Sequence, residues 1–272
     1  MIRWLRYLTI TLWQAKGWRH RWMMLRYIFR MLAGRAGLHL RPKEYQLVLD
    51  GVVFHVEASR ADLSPYPPIW IDHEYEPDGR FIPPAGGTVV DVGAHVGFFT
   101  IHDAKRVVSG TVFAIEPDPD SFGRLLTNCK ANNLRNVRAF HLAMGRQPET
   151  TYFKKGKYSV DSRLVKSPTE GAIQVLQTTL DAFVEAQGIQ QIDFLKVDTE
   201  GAEVDILRAA RQAALPRTRA AVIEVHGEAR IGPVDIIMKE CGFTKVHRKG
   251  MLHYYYRERD QDREARQCHT DG

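Results

Sequence analysis

A chain of 272 residues with 44% hydrophobic and 10% aromatic content has material for a sizeable core, which excludes whole-chain disorder and suits one large α/β domain with or without an appendage. The formal net charge of +6 is uneven: residues 1–43 hold ten Lys or Arg and no Asp or Glu, while the remainder carries 28 basic and 32 acidic residues, a net of −4, so a nucleic-acid footprint over the whole protein is disfavoured. Three widely spaced cysteines, Cys129, Cys241 and Cys268, without a C-x-x-C pair, argue against a disulfide framework or zinc knuckle and point to a reducing, cytoplasmic compartment.

Residues 1–43 read as a basic, aromatic helical segment. Trp4, Trp13, Trp18 and Trp22 lie there among the arginines. The longest uncharged run, Tyr7 to Ala15, falls well short of the roughly 20 residues a spanning helix needs. No A-x-A-like site marks a signal peptide. Indole rings and long basic side chains suit an interfacial helix, here on the inner face of an anionic membrane through residues 1–33. The other reading packs these helices on the main domain with their arginines solvated.

Residues 44–87 read as a hairpin and linker. Asp50-Gly51 joins the alternating runs Tyr45–Leu49 and Val52–Val56 as a two-residue turn. Residues 60–87 are rich in Pro, Gly and acidic side chains and read as irregular. Tyr66-Pro67-Pro68-Ile69 lacks the leading Asp or Asn, and the final aromatic, of a base amino-methylation motif.

From residue 88 to 258 strand and helix alternate. Strands are expected at Thr88–Val92, Thr111–Glu116, Val137–Leu142, Ile192–Asp198 and Ala220–Val225. Helices are expected from Gly97 to Val108, from Asp118-Pro119 to Asn132, at Leu180–Gln187, at Ala202–Ala214, and from Pro233 to Gly242. Thr151–Lys155 and Ile173–Thr178 read as short strands that interrupt the rhythm, and Phe243–Arg248 and Met251–Arg257 as a hairpin about Lys249-Gly250. This pattern describes an open, mostly parallel sheet covered on both faces. Residues 259–272 read as a charged, disordered tail.

In such sheets ligands bind beyond the C-terminal strand ends. The first strand ends in Asp91-Val92-Gly93-Ala94-His95-Val96-Gly97-Phe98-Phe99-Thr100. Gly93 and Gly97 permit a tight turn and close ligand approach, and the following helix start suits an anionic group. The G-x-x-x-G spacing is not the dinucleotide G-x-G-x-x-G, which counts against a nicotinamide oxidoreductase. Such a glycine turn also serves simple helix–strand packing. Nineteen residues after Gly97, Glu116-Pro117-Asp118 closes the second strand. A carboxylate there is placed to accept both hydroxyls of an adenosyl ribose.

Strand alternation puts Lys196 and Asp198 on one face of their strand, and Glu224 and His226 likewise share a face of theirs. A buried Lys196 needs a carboxylate partner, and Asp198 or Glu224 can provide it. His226, Asp198 and Glu224 are the acid–base groups at these strand ends. His226 has the best intrinsic pKa for a base at neutral pH. Asp198, Glu200, Glu224 and His226 form no tight ligand spacing, so no metal is expected.

Val90–Gly97, Phe113–Pro117, Thr178-Thr179-Leu180-Asp181, Ile192–Glu203 and Ile223–His226 together resemble the FkbM family of methyltransferases over roughly residues 45–257. The run Lys196-Val197-Asp198-Thr199-Glu200-Gly201-Ala202-Glu203 is the most specific piece. The resemblance implies the class I Rossmann-like fold, a mostly parallel seven-stranded sheet ending in an antiparallel hairpin. It implies S-adenosyl-L-methionine as cofactor and a hydroxyl on a glycan, glycolipid or secondary metabolite as acceptor. It places Asp91, Gly93 and Gly97 at the methionine end of the cofactor site, Glu116 at the ribose and Asp198 beside the transferred methyl. Ala94, His95, Phe98, Thr100, Pro117 and Asp118 complete the candidate cofactor set, and Asp198, His226, Glu224 and Lys196 the catalytic set. His95 stands where the family usually has Asn. A non-catalytic platform of the same fold, for cofactor, membrane or partner, is the runner-up.

Overall fold

The structure is a computed structural model that describes residues 2–15, 17–35, 38, 44–58, 62–154, 156, 163–165, 167 and 169–258. Lys16, Arg41, Lys43, Lys155, Cys268 and the expected tail 259–272 lie outside the described residues.

Helices α1 (Ile2–Gln14) and α2 (Trp18–Arg35) lead into the antiparallel pair β1 (Glu44–Leu49) and β2 (Val52–Glu57). The turn is the expected one: Asp50 and Gly51 both have positive φ, 48° and 79°, as a primed two-residue turn requires. The helices pack on this hairpin through one face. Met24 and Tyr27 are fully buried, Tyr27 packs edge-on to Tyr45, and its hydroxyl accepts the Leu63 N–H at 2.9 Å. The packed reading therefore holds for that face. No helix among the described residues is long and apolar enough to cross a membrane.

Residues 62–87 are more ordered than the composition of that segment suggests. They form α3 (Tyr66–Trp70) and a 3-10 turn at Gly79–Phe81, and they bury Tyr66, Ile69, Tyr75 and Phe81 in the shared core. The Pro67-Pro68 pair sits in the first turn of α3, where a missing N–H costs nothing. A helix of five residues is too short to show a period.

The central sheet is built from β3 (Thr88–Val92), β4 (Thr111–Ile115), β5 (Val137–Phe140), β10 (Ile192–Val197), β11 (Thr218–Glu224), β12 (Thr244–Lys249) and β13 (Leu252–Tyr256). Between β5 and β10 come the short strands β6 (Ala143–Met144), β7 (Glu149–Lys154), β8 (Arg163–Val165) and β9 (Ala172–Thr178), which form a separate four-stranded sheet in the order β6-β9-β7-β8. The central order is β12-β13-β11-β10-β3-β4-β5. β10, β3, β4, β5 and β11 run parallel, and β13 runs antiparallel to both its neighbours. This is the expected seven-stranded sheet. Its hairpin turns one residue later than expected, at Gly250-Met251, because Lys249 pairs with Leu252. Two apolar clusters cover the two faces, and β10 is buried throughout.

The helices α4 (Phe98–Ala104), α5 (Pro119–Ala131), α6 (Leu180–Ala186), α7 (Glu203–Arg208), α8 (Ala214–Arg217) and α9 (Glu228–Glu240) flank the sheet. α4 is shorter than the expected Gly97–Val108. The single helix expected over Ala202–Ala214 is split into α7 and α8. The cause lies at a distance: the Asp181 carboxylate accepts the N–H groups of Gln212, Ala213 and Ala214 at 2.9, 3.0 and 2.6 Å. It thus caps α8 from another helix. α9 begins five residues before Pro233, which sits in its second turn. There only the exposed Ala229 loses an acceptor role.

The chain leaves β3 for β4 and β5 on one side, then returns to β10 on the other. The switch point therefore lies between β3 and β10, where a crevice opens beyond their C-terminal ends.

Candidate active site

That crevice is a cleft of about 880 Å³, counting its open mouth. Its floor is Gly93, Ala94 and His95 after β3, Glu116 and Pro117 after β4, and Lys196, Asp198, Thr199 and Glu200 at the end of β10. Phe98, Tyr75, Pro65 and Ile69 wall one side, and Met144 and Phe153 of the small sheet wall the other.

Asp91 lies behind this floor. It is fully buried, with one oxygen 3.0 Å from Lys196 Nζ and the other accepting the Thr100 hydroxyl at 2.6 Å. Lys196 also donates to the Gly93 carbonyl at 2.9 Å and stands 3.7 Å from Asp198. The main partner of Lys196 is therefore Asp91, its register mate across the β10–β3 pair, and not the expected Asp198 or Glu224. Burial alone would lower the Lys196 pKa, but Asp91 and Asp198 outweigh it and hold it above its ordinary value. Asp91 and Thr100 act on the cleft through Lys196 and the loop, since neither lines it.

A side chain at either loop glycine would meet protein and not ligand space, although Gly93 itself lines the cleft. A Cβ on Gly93 would sit 1.8 Å from the Asp198 carbonyl oxygen, and one on Gly97 2.6 Å from Leu125 Cδ1. The Gly93 and Ala94 N–H groups both donate to Ile115 O at 3.0 Å, so they are not left for an anion. The glycines let β3, β10 and α5 come close, and the cleft results from that approach. His95 has φ +53°. Asn and His are among the residues that tolerate this region, which gives a backbone reason for the exchange at this position.

Glu116 is buried, and its two oxygens accept the N–H groups of His95 (2.7 Å) and Asp118 (2.8 Å). Each oxygen keeps a lone pair for a further donor. A ribose diol is such a donor, and the adjoining Pro117, Leu142 and Met144 offer apolar wall for a base. The cleft therefore fits S-adenosylmethionine: a carboxyl poised for the ribose at one end, and an acidic group for a sulfonium at the other. Asp118 itself caps α5, accepting from Asp120 N–H at 3.1 Å, and does not line the cleft.

At the β10 and β11 ends His226 lies amid carboxylates. Its Nδ1 is 2.8 Å from Glu203 Oε1, and its Nε2 is 3.3 Å from Glu200 and 4.0 Å from both Asp198 and Glu224. Glu203 is fully buried and also accepts the Gly201 N–H at 2.8 Å. Its role was not foreseen, although it closes the Lys196–Glu203 run. Tyr75, from the supposed linker, reaches Glu224 at 3.4 Å. Ligand atoms of Asp198, Glu224 and His226 lie within 4.8 Å of one another, so the fold gives three potential cation ligands a closeness their sequence spacing does not show.

Burial, opposed by its two N–H bonds, pushes Glu116 up to about 8. Burial and then Asp198 push Glu224 up to about 8. Burial would lower His226, but the bond to Glu203 and the charges of Glu200 and Asp198 raise it to about 9. All three groups hold protons in the folded protein that they release when unfolded. Their stabilisation is present below their ordinary pKa values and is lost as pH rises through the folded ones. The cofactor-free melting temperature is thus expected to fall from pH 5 to pH 9, with the Glu share between 4.5 and 8 and the His share between 6.5 and 9. Glu116→Gln should flatten the lower part. A melting temperature that stays level or rises over this range contradicts the assignment.

Residues 91–245 match the Methyltransferase FkbM domain. The chain is 30% identical over 225 residues to the 31-O-demethyl-FK506 methyltransferase FkbM of Streptomyces tacrolimicus, covering 71% of this chain and 86% of that protein. It is 27% identical over 146 residues to the hexuronic acid methyltransferase AglP of Haloferax volcanii, covering 54% and 58%. It is 27% identical over 231 residues to the AMB antimetabolite synthetase AmbE of Pseudomonas aeruginosa, covering 69% of this chain but 11% of that much longer protein. The crystal structure of Methyltransferase FkbM from Methylobacillus flagellatus KT superposes with a TM-score of 0.50 at 12% identity, covering 94% of this chain and 59% of that one.

Proposed function

Because the chain belongs to the FkbM methyltransferase family, we propose that its S-adenosylmethionine-dependent methyltransferase domain O-methylates a hydroxyl on a glycan, glycolipid or secondary metabolite. The observation that carries this reading is the Glu203–His226 pair, 2.8 Å apart, which does not itself line the cleft but lies beside Asp198 and Glu200, which do. When bound, the cofactor supplies an electrophilic methyl group on a positively charged sulfur. A neutral hydroxyl becomes a competent nucleophile when a base takes its proton as it reacts.

His226 is that base. Glu203 fixes the ring and its tautomer, with Nδ1–H directed at the carboxylate and Nε2 toward Glu200 and, farther off, Asp198 and Glu224. The same carboxylates stabilise the imidazolium that forms. Asp198, which lines the cleft, places negative charge beside the transferred methyl. Lys196 is a positioning residue: it ties Asp91, the Gly93 carbonyl and Asp198 into one unit. Glu116 holds the ribose.

The hydroxyl acceptor has support in one relative, whose name specifies a 31-O-demethyl substrate, and a sugar acceptor in another, whose name specifies a hexuronic acid, which offers both hydroxyls and a carboxyl. A non-catalytic platform finds no support, since both the ribose carboxyl and the oriented histidine are present.

The test uses methyl-labelled cofactor and a panel of sugars, glycolipids and polyketide alcohols. The expected product is a hydroxyl methyl ether, stable to mild base. Label confined to base-labile esters or to amines would refute the reading.

A further inference from the structure

α2 carries two apolar faces, and the fold uses one of them. Met24 and Tyr27 face the hairpin and are fully buried. Trp18, Trp22, Leu25, Phe29 and Leu32 are exposed, from 45% at Leu32 to 83% at Trp18. Their spacing of four and three residues places them within about an 80° arc of the helix, centred opposite Tyr27. Trp13 of α1, 77% exposed, stands near the corner where the two helices meet. By helical position Arg19, Arg26 and Arg30 follow one border of the stripe and Arg21 the other.

We propose that this stripe is a docking surface for an anionic lipid bilayer, with α2 lying in the plane of the interface. The inference stands apart from the acceptor's identity. Two features select the occupant. Tryptophan and phenylalanine predominate, which suits the headgroup boundary. The borders are arginine, and residues 1–43 contain no carboxylate. The heptad-like spacing would also suit a second copy of α2. Pairing two copies would set arginine against arginine with no acid in either helix to relieve them. A layer of lipid phosphates meets the same borders with opposite charge, and the arginine stems can extend along the apolar boundary toward it. α2 does not meet the length and hydropathy of a spanning segment, so contact is in-plane.

The test is sedimentation of the full chain with vesicles of phosphatidylcholine, with and without phosphatidylglycerol, at low salt. The full chain is expected to sediment with the phosphatidylglycerol vesicles and to be released by added salt. Replacing Arg26 by Gln should weaken partitioning roughly fivefold. Trp22→Glu with Phe29→Glu should abolish it, while the melting temperature and cofactor binding stay as in the parent, because both side chains are solvent-exposed. The proposal is overturned if the parent fails to sediment, if the double variant sediments equally, or if the parent is a dimer that the double variant dissociates.

Discussion

Gly93→Ala is expected to abolish S-adenosylmethionine binding and to cost about 2–5 kcal/mol of stability, as the sum of left-handed backbone strain and overpacking. Gly93 sits at φ +84°, and its added methyl would lie 1.8 Å from Asp198 O and 2.9 Å from Asp198 C. Both are backbone atoms. They cannot move aside without loosening β10 from β3, because the Asp198 N–H is bonded to Val92 O at 3.0 Å. Lys196 would lose its hold on the Gly93 carbonyl in the same movement. Gly97→Ala is the informative comparison. It shares the positive φ, but its methyl meets the end of the Leu125 side chain, which can rotate. Its damage should be smaller, with cofactor binding weakened but measurable. Thermal melting and calorimetric titration read both variants. A Gly93→Ala protein that melts and binds cofactor like the parent would contradict the packed-loop account.

His226→Ala is expected to lower kcat by about 10²- to 10⁴-fold, the usual worth of a positioned base, with cofactor affinity nearly unchanged. The parent's rate should rise with pH toward the value of about 9 that its carboxylate neighbours impose on His226. Glu203→Gln removes one of those raising influences. It should lower kcat and also move the pH–rate profile to lower pH, a shift that a purely structural role would not produce. Chelation should leave the parent's rate unchanged. A rate lost to chelator and restored by magnesium would make His226, Asp198 and Glu224 metal ligands and displace His226 as base. Normal turnover in both Asp198→Ala and His226→Ala would sink the catalytic assignment.

Much of the site was legible because it lies at strand ends, where order along the chain becomes order in space. Glu116 needed only the second strand to follow the first. Lys196 with Asp198, and Glu224 with His226, needed only alternation. The Asp91–Lys196 bond was not legible, because it depends on which residue of β3 lies beside Lys196, and lateral register is absent from a single sequence. Glu203 was not legible because it opens α7 directly after a loop, and only the path of that loop brings it to His226. Tyr75 came from a Pro- and Gly-rich segment that offers no periodicity, yet it is buried against the cleft. The α7–α8 break was hidden for a similar reason, since its cap, Asp181, comes from α6. The N-terminal helices supported both readings of their sequence in part. One apolar face is packed and the other is open, and a list of apolar residues does not separate two faces of one helix.

The most direct measurement is calorimetric titration of S-adenosylmethionine into the parent and into Glu116→Gln. Glu116 is chosen because Gln keeps one acceptor for the His95 or Asp118 N–H while losing an acceptor for the ribose diol. Saturable binding is expected at one site in the parent, weakened roughly tenfold or more in the variant, as follows when a hydrogen bond to the ribose is lost in a buried site. Equal affinity in the two proteins, or no binding in the parent, would contradict this assignment.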